Sequence, residues 1–161
     1  MSGKVIQILR AGPLAAVLSE AELRLLANCG QVRDYAPGQV ILKADGQDER
    51  LFIVRDGRVA LRLTMWSDSG LCDGEARFDL ATPSETFGWA AWIRPDRIVM
   101  TAQALEATSL VAFDLDRLGD TDIFMKVGRQ LILNLYARLQ ESGVCPPNVE
   151  GLLKLKRALL V

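Results

Sequence analysis

The spacing of apolar residues changes along this chain, and the changes mark its elements. Ser19-Glu20-Ala21-Glu22 opens the first clear one. The Ser hydroxyl can accept from the backbone N–H three residues on while the Glu22 carboxylate reaches back, which predicts a helix N-terminus. Leu23, Leu25 and Leu26 continue an amphipathic helix that ends before Gly30. Short apolar runs bounded by turn dipeptides follow. Gln31–Tyr35 is a candidate strand, Pro37-Gly38 leads into Val40-Ile41-Leu42, and Asp45-Gly46 precedes Leu51–Val54. Asp56-Gly57 predicts a hairpin, since both residues tolerate positive φ. Beyond it Val59, Leu61 and Leu63 alternate with Arg58, Ala60 and Arg62, as in a strand with one buried face. Residues 66–76 read as loop, and Arg77–Leu80 and Leu105–Leu115 as further strands.

After residue 115 the period lengthens. Asp122–Ser142 is helical in pattern; Gly143 and Pro146-Pro147 then break the chain, and a shorter helix is expected over Asn148–Leu160. Many short strands between helical ends predict a mainly β fold with some α. The expected architecture is a double-stranded β-helix, a jelly roll or β-roll, flanked by an N-terminal helix and a long C-terminal one. The expected division of a single domain, 1–161, is a helical part at 14–30, the β-roll at 31–115, the long helix at 116–142 and the tail helix at 148–160.

Composition narrows the function. With 161 residues, half of them hydrophobic and 24% charged, the chain can bury a core. A net charge of −1 supplies no general attraction to nucleic acid or anionic membrane. The three cysteines, Cys29, Cys72 and Cys145, lack metal or redox spacing and read as reduced thiols. No secretory leader or membrane-length apolar run is evident, so a cytoplasmic protein is expected. The absence of histidine removes His-ligated metals, Ser–His nucleophile pairs and His-ligated haem, and no paired-carboxylate motif stands out. The chain is expected not to be an enzyme and to hold no metal or resident cofactor.

The order of several motifs carries a resemblance. PGQVIL, DGQDERLFIVRDGRVAL, FGWAAWIRPDRIVMTAQALE and LVAFD, spread over Leu14–Ser142, resemble the cyclic-nucleotide-binding domain of the catabolite-activator superfamily. The resemblance implies a ligand-sensing regulatory module whose phosphate-binding cassette is 87–104. It makes Phe87, Gly88, Trp89, Ala90, Ala91, Trp92, Arg97, Ile98 and Thr101 the candidate ligand-binding residues. In that family a Glu follows the Gly to grip the ribose, and an Arg about nine residues later grips the cyclic phosphate. Here those positions hold Trp89 and Ile98, with Arg97 one place early. A one-residue shift on a strand turns a side chain to the other face. A cyclic nucleotide is therefore a doubtful ligand, though a genuine cyclic AMP or cyclic GMP sensor stays open. Two further readings remain: Phe87, Trp89, Trp92 and Ile98 line an apolar cavity for another small molecule, or the indoles fill the space and the chain is a dimeric adaptor. Arg94 and Arg97 could anchor an anionic end, or pair with Asp96 in a solvated turn.

Output is expected through a partner protein, because the stretch after Ser142 is too short for the helix-turn-helix that family members append; direct DNA binding is not expected. One partner is expected to be a second copy. Val127, Leu131, Leu135 and Leu139 form one apolar stripe, with Ile132 and Tyr136 beside it, and the family dimerises through the equivalent helix. The tail sets Leu152, Leu155 and Leu159 against Lys154, Lys156 and Arg157. That pattern reads as helix packing with a solvated face ahead of a membrane surface or an acidic partner.

Overall fold

A computed structural model describes residues 2–43, 50–65, 74–88, 98–119 and 121–142. The elements run α1 (Ser2–Ala11), a 3-10 turn (Pro13–Ala16), α2 (Glu20–Ala27), β1 (Gly30–Tyr35), β2 (Val40–Leu42), β3 (Leu51–Asp56), β4 (Val59–Met65), β5 (Gly74–Ala81), β6 (Thr86–Phe87), β7 (Ile98–Ala104), β8 (Thr108–Phe113), a second 3-10 turn (Leu115–Arg117) and α3 (Thr121–Ser142). The strands form two antiparallel four-stranded sheets, ordered β1-β8-β3-β6 and β2-β7-β4-β5. This is the predicted β-roll between helices.

Strands β3 and β8 stand at the centre of the first sheet. Leu51–Val54 and Leu110–Phe113 are buried at every position, so both faces of that sheet are covered. In the second sheet Val59 and Leu61 pair with Ala104 and Ala102, all four buried. The helical end rests on the first sheet, where Val5 of α1 meets Val111 and Phe113 around Gly30. The capping box holds as expected: the Glu22 N–H donates to Ser19 Oγ at 3.2 Å, and the Ser19 N–H donates to Glu22 Oε2 at 2.7 Å.

Five expectations change. Strand β5 starts at Gly74 rather than Arg77, because Gly74, Glu75 and Ala76, read as loop, pair with Met65, Thr64 and Leu63 of β4. The helical part starts at Ser2, not Leu14, because Val5 and Leu9 bury one face of α1. The long helix starts at Thr121 rather than 116; Leu115–Arg117 is a separate 3-10 turn capped by Asp114. The span 105–115 is a turn plus β8, while the strand before it, β7, belongs to the other sheet. Finally, Asp56-Gly57 is not a hairpin, because β3 and β4 lie in different sheets and do not pair. Gly57, at φ 94°, hands the chain from one sheet to the other. A Cβ there would stand 2.5 Å from Thr108 Oγ1 and 2.7 Å from the Ala107 carbonyl. The turn between β7 and β8 packs against it and makes the same crossing. The Leu105 N–H donates to the Arg58 carbonyl at 3.0 Å, and Arg58 Nη2 pairs with Glu106 Oε2 at 3.1 Å. The tail helix expected at 148–160 lies outside the described residues.

Candidate functional site

The two ends of the cassette belong to different sheets. Its first end is β6, at the edge of the first sheet, where Phe87 pairs with Phe52 and Thr86 with Ile53. Its second end is Ile98, which opens β7 opposite Met65 inside the second sheet. The first end is held firmly. Phe87 is 1% exposed and stacks on Phe52 with ring centroids 5.1 Å apart and planes 10° from parallel. Just before β6 the Val54 N–H donates to the Glu85 carbonyl at 3.0 Å, and the Ser84 N–H to the Val54 carbonyl at 2.8 Å.

Gly88 ends this anchored stretch at φ 97°, buried, with its would-be Cβ 2.6 Å from the Arg50 carbonyl oxygen and 3.4 Å from Phe52 Cδ2. Gly88, a candidate ligand-binding residue by the resemblance, thus makes room for the backbone just before β3 and for Phe52 within it. Positive φ and the Arg50 backbone together require glycine here. Arg50 carries its guanidinium to the same edge, Cζ lying 5.4 Å from the Phe52 ring centre. The motif reading did not single Arg50 out, because its carbonyl, which any residue supplies, makes the closest contact.

The other expected ligand residues are distributed unevenly. Phe87 belongs to the packed core. Thr101 pairs with exposed Arg62 and alternates with Ala102 and Ala104, both fully buried, so it lies on the outer face of the second sheet, away from the interior expected for a ligand contact. Trp89, Ala90, Ala91, Trp92 and Arg97 lie outside the described residues. On α3, the helix expected to pair two copies, Val127 and Leu131 continue the spacing of Ile123 and are buried in the chain's own core, so they do not serve a partner face. The side chains of Ile132, Leu135, Tyr136 and Leu139 lie outside those described. Lys126, on the same helix, reaches α2, its Nζ 2.8 Å from Glu22 Oε1 and 3.1 Å from Asp122 Oδ2. Hydrogen bonding to Glu22 and then to Asp122 raises the Lys126 pKa. Its hydrogen bond from Lys126, followed by the one from the Ser19 backbone, lowers that of Glu22.

Two antiparallel four-stranded sheets with helices at both ends of the chain define a β-roll. The family model of the cyclic nucleotide-binding domain matches residues 32–121, and the chain belongs to that family. Solved structures share the fold. The regulatory subunit of a cAMP-independent protein kinase A from Trypanosoma cruzi, bound to guanosine, has 17% identity and a TM-score of 0.64 over 96% of this chain and 50% of its own. A putative cyclic nucleotide-binding protein from Geobacter metallireducens has 21% identity and a TM-score of 0.63 over 83% of this chain and 96% of its own. The catabolite activator protein of Thermus thermophilus has 29% identity and a TM-score of 0.59 over 82% and 60%. The chain thus spans about half the length of the trypanosomal subunit. No curated protein sequence matches it.

Proposed function

We propose that the chain is a ligand-sensing regulatory domain whose pocket takes a small molecule other than cyclic AMP or cyclic GMP, and whose output passes to a protein partner. One observation carries this: the family scaffold is kept up to Gly88, while the next residue is Trp89 and the phosphate position is Ile98. An indole cannot accept from two ribose hydroxyls, and an isoleucine cannot neutralise a cyclic phosphate. Each charge-assisted hydrogen bond lost costs about 1.5–3 kcal/mol, so two losses weaken binding by roughly two to four decades. The trypanosomal regulatory subunit of like fold, described as cAMP-independent and bound to guanosine, supports a ligand without the cyclic phosphate. Regulatory subunits and a Streptomyces coelicolor transcriptional regulator among the similar structures support action through a partner.

A second reading rests on the same residue: Trp89 and Trp92 fill the pocket and the chain is an adaptor. Mass spectrometry of small molecules released from the purified chain, with tryptophan fluorescence on adding back what is found, separates the two. The sensor reading expects one compound in near-stoichiometric amount whose return shifts the emission. No retained compound, and flat emission across a nucleoside and metabolite set that includes guanosine, favours the filled pocket.

A further inference from the structure

A cleft lies away from the cassette, where α1 crosses β3 and the turn between β5 and β6. Its volume is about 330 Å³, at the lower end of the roughly 300–1,000 Å³ of small-molecule sites. Lys4, Gln7, Ile8 and Ala11 contribute one face of α1, spaced as successive helical turns require. The opposite wall is Val54 and Arg55 of β3 with Ser84 of the turn. Arg50 and Arg55 stand near opposite ends of β3, about 16 Å apart at strand rise. The cleft is therefore separate from the Gly88 end.

The chemistry of the lining is one-sided. An ammonium, a guanidinium, an amide and a hydroxyl belong to residues around an apolar patch of Ile8 and Ala11 on α1, and none of the lining residues carries a carboxylate. Arg55 Nε lies 3.6 Å from Asp56 Oδ2, a loose pair whose acid side chain is 74% exposed. Ser84 adds an independent sign. It is the one non-glycine residue with positive φ among the described residues, at 75°. It sits in a Thr82–Glu85 turn whose third position favours glycine, after Pro83 at the second. A serine held in that conformation on a cleft wall is the kind of outlier from which a functional role is inferred.

We propose that this cleft is a second ligand site, for a small monocarboxylate bearing a short apolar chain. The carboxylate meets Lys4 and Arg55, and the apolar chain lies on Ile8 and Ala11. Because the Ser84 turn feeds β6 directly, a ligand here touches the segment that fixes Gly88. The proposal does not depend on what the cassette binds.

The test is an amide-resolved NMR titration of the intact chain with hexanoate, with inorganic phosphate, and with sodium chloride at matched ionic strength. The chain itself and the Lys4→Gln and Arg55→Gln variants are compared, their folds checked by the unshifted remainder of the spectrum. Saturable shifts at Val54 and Ser84 with hexanoate are expected, tighter than with phosphate, and weakened about fivefold or more in at least one variant. Shifts that chloride reproduces, that fail to saturate, that survive both variants unchanged, or that phosphate matches in affinity overturn the assignment.

Discussion

At Gly88 a single missing Cβ decides how the cassette leaves the first sheet. A methyl group would stand 2.6 Å from the Arg50 carbonyl, a backbone atom that cannot swing aside, and the residue would also be held at φ 97°. Gly38 has a similar φ, 83°, but nothing within 4 Å of its Cβ position. The pair separates conformational from steric cost. Gly38→Ala is expected to lose about 1 kcal/mol in urea unfolding, and Gly88→Ala about 2–4 kcal/mol. Equal losses would mean that the Arg50 carbonyl is no obstacle. The sequence marked Gly88 as special, yet for a ligand's sake. What closes on it is β3, and no local pattern around residue 88 reveals a neighbour from residue 50.

Between elements, one contact that responds to solution conditions is the latch from α3 to α2. Glu22 serves both its own helix, through the capping box, and Lys126 of α3. Its lowered pKa means that its share of stability is present above the ordinary carboxylate range and is lost as pH falls through the folded value. The raised pKa of Lys126 acts in the opposite direction, holding below the ordinary lysine value and failing only as pH rises past it. Lys126→Met is thus expected to lower the melting temperature at pH 7, with the gap to the unaltered chain closing below about pH 4. A gap that persists unchanged at pH 3 would show that the ion pair is not its source. The capping box was legible because its residues are adjacent in sequence; the latch joins residues about a hundred positions apart and was not. Helix α1 was missed for a different reason. Its apolar residues, Val5, Ile6, Ile8 and Leu9, fall in two adjacent pairs within ten residues, and it has no capping box, so tertiary cover on Val5 and Leu9 makes it a helix.

Over the whole molecule, the order of motifs revealed the roll while leaving its wiring hidden. A turn dipeptide such as Asp56-Gly57 says that the chain reverses; it does not say which strand will pair on the far side. In the structure β3 and β8, buried on both faces over Leu51–Val54 and Leu110–Phe113, pair at the centre of one sheet, and the Gly57 corner carries β4 to the other. The same division puts the two described ends of the cassette, Phe87-Gly88 and Ile98, in or beside different sheets, and its chemistry rests on the residue types it carries. Of those, the sequence shows an indole and an isoleucine where the family carries an acid and a guanidinium. Isothermal titration of the intact chain with cyclic AMP and cyclic GMP tests that difference most directly, with the Trp89→Glu, Ile98→Arg double variant titrated alongside. The account predicts no saturable heat for the unaltered chain up to about 1 mM and measurable binding by the variant. Micromolar binding of either nucleotide by the unaltered chain would contradict it.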